Sequence, residues 1–256
     1  MIGDIFHIIF YQPLHNILVF LTGILPFHDL GLAIIILTVA VRFIIFPFSH
    51  KSVVTQRKIK EIEPEISKIK EKLKDNRQEQ TKQIMDLYRK HGISPFSGFL
   101  MLLIQFPIFI ALFILLKKGV DLDGDVLYSF VKLPEKINTI FLGFIDLSKS
   151  KYLLSILAGL SQFFQIRLAM PKTKKPQTKD HSFKGELQRS MSLQMKYIMP
   201  VIIFFIAQRF SSGLALYWTI SNVFAILHEI VVAKKAKKIS AQGGLASGQK
   251  DNERTN

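Results

Sequence analysis

The chain has 256 residues, 49% of them hydrophobic with 22 Phe, a mean hydropathy of +0.27 and a formal net charge of +15. Its apolar residues come in long blocks, which points to a membrane protein and away from a soluble globular domain. Cys is absent, which excludes a disulfide framework, a thiolate metal site and a Cys nucleophile.

The opening stretch "MIGDIFHIIFYQPLHN" carries Asp4 and no Lys or Arg. It lacks the basic region of a cleavable signal peptide and is expected to be retained. Pro13 interrupts the apolar run Ile5–Leu25, and Leu14, Ile17, Leu18 and Leu21 recur at helical spacing. Residues 1–27 are therefore expected to form an amphipathic helix lying in the membrane interface, with a sixth span over 5–25 as the alternative.

A membrane span needs about 20 apolar residues. Such runs cover 30–48, 96–116, 152–170 and 213–233, and a shorter one covers 195–210. The expected fold class is an all-α membrane protein. Five transmembrane helices form a core over 28–233, with the N-terminal interfacial helix before them and a cytoplasmic helical hairpin at 50–94.

The hairpin is read from "RKIKEIEPEISKIKEKLK", where Ile59, Ile62, Ile66, Ile69 and Leu73 step by threes and fours into a narrow seam. "DNRQ" supplies a turn, and the second helix ends near Gly92. Such a hairpin is either a solvated connector or an arm that touches a partner. The polar stretch 171–190 is expected to be a mobile loop, and the basic tail 234–256 to be disordered.

Lys and Arg orient the chain. None precedes Arg42, whereas 50–95 holds twelve, 171–196 seven and 234–256 six; the six in 117–151 are offset by five acids. Five spans then place the N-terminus outside, the hairpin inside and the C-terminus in the cytoplasm. Much of the net charge is topological, so nucleic acid is not needed to explain it.

Enzyme motifs fail. "GGLASGQK" approaches a phosphate loop, but Gln249 stands where Lys should follow Gly248. "HEIVV" offers His228 and Glu229, with Val232 in place of a second zinc His. No catalytic residue, metal site or cofactor is expected.

The polar residues inside the spans carry the functional argument. Counting from the cytoplasmic end of each run at 1.5 Å per residue, Arg42 lies about 9 Å in and Gln165 about 7–8 Å in. Gln105 lies about 13–14 Å in, Asn222 about 16–17 Å, and Thr38 and Gln162 sit near mid-depth. Intramembrane polar groups face a bundle interior or a wet cavity, because lipid offers them no partners. The competing roles are interhelical glue for the amides and hydroxyl, and snorkelling for Arg42. Arg167 and Glu229 read as rim residues, and Tyr217 and Trp218 fit an aromatic belt as well as a cavity wall.

The stretches "VRFIIFPFS", the charged hairpin, "LYRKHGISPFSGFLMLLIQFPIFIALF", "SQFFQIRLAMP" and "SSGLALYWTISN" follow one another in order. Over residues 12–233 the chain resembles the YidC/Oxa-type membrane protein insertases. The resemblance implies five spans around a hydrophilic groove, closed outside and open to cytoplasm and lipid. It maps the family's groove Arg onto Arg42 and its aromatic groove position onto Trp218, with Tyr217 beside it. A groove Gln maps onto Gln165, with Gln162 competing. With Thr38, Gln105 and Asn222 these form the candidate client-binding groove. The implied function is insertase and chaperone: client hydrophilic tails pass the groove and client helices are released into lipid. The implied partners are nascent membrane proteins and membrane lipids, and a Sec-type translocon and the ribosome are compatible with it. The rival class is a small transporter or channel for an anionic solute, for which inverted repeats are not evident.

Overall fold

In the computed structural model, which describes residues 2–94, 96–117, 127–150, 152–169 and 194–252, a proline stands in the first turn of several helices. Pro13 does not break the first helix. Helix α1 (Ile2–Phe6) passes through a π-helical stretch (His7–Tyr11) straight into α2 (Gln12–Ile24), and the proline falls in the first turn of α2. A π turn tolerates the missing N–H there. The stretch Gly3–Ile24 has the length and composition to cross a membrane. One face buries Leu14, Leu18 and Val19 in the main core. Asn16 Oδ1 accepts from the Tyr128 amide at 2.7 Å, so the middle of this helix lies against a later loop.

The run 30–48, a single span by its sequence, is not straight. Helix α3 (Leu30–Ile44), N-capped by Asp29, ends at Ile45, and α4 (Phe46–Glu61) leaves at a bend of 67°. Pro47 lies in the first turn of α4. A proline there withholds one amide and its ring crowds the carbonyl four residues earlier, so the helix is interrupted just before it, at Ile45. Arg42 consequently sits in the last turn of α3, nearer the helix end than a count from Phe48 suggests.

Pro64 likewise splits the heptad seam between α4 and α5 (Glu63–Lys72). Asn76 caps α6 (Arg77–Lys90) by accepting from the Glu79 amide. Ile62, Ile66 and Ile93 form a small separate core, with Ile59, Ile84, Leu87 and Tyr88 packed on it.

Helix α7 (Ser97–Lys117) is followed by the loop 127–150, then α8 (Tyr152–Ala169). The expected mobile loop 171–190 lies outside the described residues. A π-helical stretch (Gln194–Ile198) leads into the short α9 (Met199–Arg209). Extended Phe210 then turns the chain into α10 (Ser212–Asn252). Where the sequence predicts a disordered tail, α10 continues to Asn252. Ala, Lys and Gln, which dominate 233–242, are good helix formers. Among the described residues three helices, or four with the bent α3–α4 pair, are long and apolar enough to span. The fold is mostly helical.

The loop 127–150 contains a feature that the sequence does not announce: a two-stranded antiparallel sheet, β1 (Ile140–Phe141) with β2 (Ile145–Asp146). The loop closes one end of the bundle. The Leu30 amide donates to Asn138 O, the Ser212 amide to Lys149 O and the Gly213 amide to Leu147 O. Ser211 Oγ donates to Leu116 O at the same end. Beneath this cap Leu30, Ile34, Leu37, Leu112, Leu116, Leu147 and Leu214 are almost fully buried. The half of the bundle toward α4–α6 is different in kind.

Candidate functional site

Four helices bring polar side chains together in that half. Arg42 of α3, Gln105 of α7, Gln165 of α8 and Asn222 of α10 line one cavity of about 300 Å³. The 67° bend carries α4 across the same space, so Ser49, Ser52 and Gln56 add to the lining. These three recur at spacings of three and four, which places them on one helical face.

The amides are linked. Gln162 Oε1 accepts from Trp218 Nε1 at 3.1 Å and from Asn222 Nδ2 at 3.2 Å. Gln162 Nε2 donates to Gln165 Oε1 at 3.3 Å, and Asn222 Nδ2 also reaches Ser161 Oγ at 3.1 Å. Of the two competing glutamines, Gln165 lines the cavity and Gln162 lies one turn behind it, joining α8 to α10. Gln105 Nε2 donates to the buried Tyr217 hydroxyl at 3.1 Å. Gln105 Oε1 is buried and accepts from no described residue. Trp218 meets Phe109 edge-on at 5.3 Å. Tyr217 and Trp218 thus belong to the bundle interior rather than to an outer belt. Thr38 stands apart: its buried hydroxyl donates to Ile34 O of its own helix at 2.6 Å and does not line the cavity.

Charge is unevenly distributed around this space. Among the described residues no carboxylate pairs with the half-buried Arg42. Glu229, the carboxylate on the cavity wall, is turned to other bases: Arg57 Nη1 at 3.8 Å and Lys60 Nζ at 3.5 Å. Lys60 also donates to Leu168 O at 2.7 Å, near the C-terminal end of α8. These contacts tie α4 to α8 and α10. The sequence reading of Glu229 as a rim residue therefore needs correcting, since it is buried and clamped, whereas Arg167 is exposed. Beside the pair, His50 Nδ1 and His228 Nε2 lie 3.0 Å apart, so one ring donates to the other.

Sequence reasoning missed Ser49, Ser52 and Gln56, and weighed His228 only as a metal ligand. For the first three the signal exists, in their shared helical face, but on sequence alone it merges into the charged connector. Among the described residues no group of three or more His, Asp or Glu side chains could hold a metal ion. The arrangement supplies a fixed positive charge and neutral amides and hydroxyls, which suit binding of polar or anionic groups.

Apolar helices around a cationic, amide-lined cavity, sealed at one end by a packed aliphatic layer, define a helical integral membrane protein with a hydrophilic site inside its bundle. The model of the 60Kd inner membrane protein family matches residues 21–239. The chain belongs to this family, the YidC/Oxa type that its motifs resemble. It is 34% identical over 213 residues to a membrane protein insertase YidC of Wolinella succinogenes, covering 82% of this chain and 35% of that relative. With a membrane protein insertase YidC of Oceanobacillus iheyensis it shares 31% identity over 235 residues, covering 90% of this chain and 84% of the relative. A membrane protein insertase YidC of Aeromonas salmonicida is 30% identical over 229 residues, covering 89% of this chain and 36% of the relative. Against several of these relatives the chain spans only about a third of their length.

Proposed function

We propose that the protein is an insertase and chaperone of the inner (cell) membrane, passing the hydrophilic tails of nascent membrane proteins through the Arg42 cavity and releasing their apolar helices into lipid. The observation that carries this reading is an Arg without a carboxylate partner among the described residues, set in a polar cavity at one end of an otherwise apolar bundle. Such a cavity shortens the hydrocarbon path that a polar tail must cross. An acidic tail is attracted by the guanidinium and driven outward by the membrane potential, at about 2.3 kcal/mol per charge per 100 mV. No nucleotide is needed for either step.

The proposed topology has a five-span core made of α3, α7, α8, the 194–209 helix and the first part of α10. The α5–α6 hairpin and the C-terminal end lie in the cytoplasm, with the loop 127–150 outside. The twelve Lys and Arg between 50 and 95 support this orientation. The N-terminal helix is assigned to the outer interface. Asn16 bonds to Tyr128, and Gly23 approaches Lys132 O, so residues 16–23 run along the outer loop instead of away from it. The groove set remains Arg42, Gln105, Gln165 and Asn222 on the wall, Gln162, Tyr217 and Trp218 behind it, and Thr38 as support. Membrane lipid and nascent clients are the proposed partners, with a Sec-type translocon or ribosome as additional ones.

Reconstitution tests the reading. Vesicles holding the wild-type protein should insert a single-span client with an acidic tail, and Arg42→Ala should lose most of that activity. Arg42→Lys should retain part, because the charge survives while the planar fork is lost. Equal insertion by the wild type and the Ala variant contradicts the assigned role. Uptake of a free anionic solute without client insertion would favour the transporter class instead.

A further inference from the structure

The described residues contain three non-glycine positions of positive φ: Phe27 (60°), His28 (52°) and Leu142 (54°). Bulky side chains rarely adopt this region, and they persist there only where the surroundings hold them. Here all three belong to one unit. The Asn138 amide donates to His28 O at 3.0 Å, and the Leu30 amide donates to Asn138 O at 3.0 Å. The Phe141 ring covers Gly31 so closely that an added Cβ would lie 2.2 Å from Phe141 Cδ2. The turn at 26–28 and the β1–β2 hairpin are therefore fixed together on the first turn of α3.

This rigid unit presents apolar side chains outward. Phe141 and Ile145 point into the core, while Ile140 (39% exposed), Leu142 (62%) and Phe144 (69%) point away from it; Phe27 (85%) is exposed on the turn that the Asn138–His28 bond joins to this segment. An antiparallel hairpin facing water carries polar residues on its outer side. Here the outer side of the tip is apolar, and α3, on whose first turn the hairpin is seated, itself exposes Leu32 and Ile36 one turn apart. Exposed Lys132 and Lys136 precede it on the segment leading into β1.

We propose that Phe27, Leu142 and Phe144 form a membrane-interface anchor that sinks into the headgroup–acyl boundary of the leaflet at the loop end of the bundle. The occupant is lipid because the patch is seated on a helix whose own exposed side chains, Leu32 and Ile36, are apolar, and Phe and Leu side chains flanked by lysines suit that boundary. Tilt and depth of a spanning helix are set by such interfacial anchors. Since α3 carries the unit on its first turn and Arg42 on its last, the anchor fixes the depth at which Arg42 is held. The proposal rests on the chain spanning a membrane and not on the insertase reading.

The chain has no Cys, so single cysteines can be labelled cleanly. Phe27→Cys, Phe144→Cys and, as an aqueous control, Glu135→Cys would each be nitroxide-labelled in the full-length protein, in vesicles of phosphatidylethanolamine and phosphatidylglycerol. Collision with oxygen is compared with collision with a water-soluble nickel chelate. The expected result is oxygen-dominated relaxation at positions 27 and 144, at a depth of about 5–10 Å below the boundary, with nickel-dominated relaxation at 135. Nickel access at either 27 or 144 equal to that at 135 overturns the proposal. So does protection of either from both reagents, which would place a protein surface there. Spectra showing an unfolded, freely tumbling label are controlled by Ile140→Cys, which reports on the same hairpin from its base and should share the oxygen-dominated signal.

Discussion

At Gln162 a single amide oxygen accepts from both Trp218 and Asn222. Gln162→Leu keeps roughly the volume and removes the acceptor, leaving Trp218 Nε1 without a partner and Asn222 with only Ser161. Each buried unmade bond costs about 1–3 kcal/mol, so the melting temperature should fall clearly. Trp218 is the only tryptophan, and its emission reports the change directly. A shifted emission with lower stability is expected; unchanged values for both contradict the network. The residue scale is largely legible in the sequence. Polar residues inside apolar runs stand out, and Arg42, Gln105, Gln165 and Asn222 meet on one cavity. Depth counting cannot show which face of a helix each residue occupies, so it groups Thr38, bonded to its own backbone, with them.

Among the elements, the helices are legible because apolar runs of span length seldom occur outside membrane helices. Their interruptions are less so. The run 30–48 hides its bend, since Phe46 and Phe48 are as apolar as what precedes them and only Pro47 marks the break. The β1–β2 hairpin leaves no trace, because two-residue strands are too short to show a period of two. Its seat on α3 is testable. Gly31→Ala forces a methyl into the Phe141 ring, and overpacking of this kind costs about 1–3 kcal/mol. Amide exchange across 138–147 should accelerate, with little change around the cavity; unaltered exchange would show that the hairpin yields freely.

The hairpin also carries a pH dependence. The Ser148 hydroxyl, donating to Asp146 Oδ1 at 2.6 Å, holds that carboxyl below its ordinary range, and the Ser148 amide and Lys149 act in the same direction. A carboxylate with a depressed folded-state pKa stabilises the fold above its unfolded-state value, and that contribution is lost as the pH falls through the folded-state value. Order around 146–149 should therefore decline only in acid, below the usual carboxylate range. Asp146→Asn should flatten this dependence when amide exchange is corrected for its intrinsic pH effect. A loss of order centred near neutral pH would point to another group.

For the whole molecule the two ends do different work. The loop end is an aliphatic seal of Leu30, Ile34, Leu112, Leu116 and Leu214 under a hydrogen-bonded cap. The other end holds the cavity, with α4 bound across it by Glu229, Arg57 and Lys60. Composition alone announces a basic membrane protein, but this asymmetry depends on which residues share a level in the bundle, and only the fold sets that. The central claim is that a client's hydrophilic tail occupies the cavity. A photoreactive phenylalanine analogue placed at Met101, which lines the cavity, or at Leu103, exposed on the outer surface of the same helix, tests it most directly. With a stalled acidic-tailed client, the account predicts cross-links from position 101 to the tail and far fewer from position 103. Tail cross-links that are equal at the two positions, or confined to 103, would contradict it.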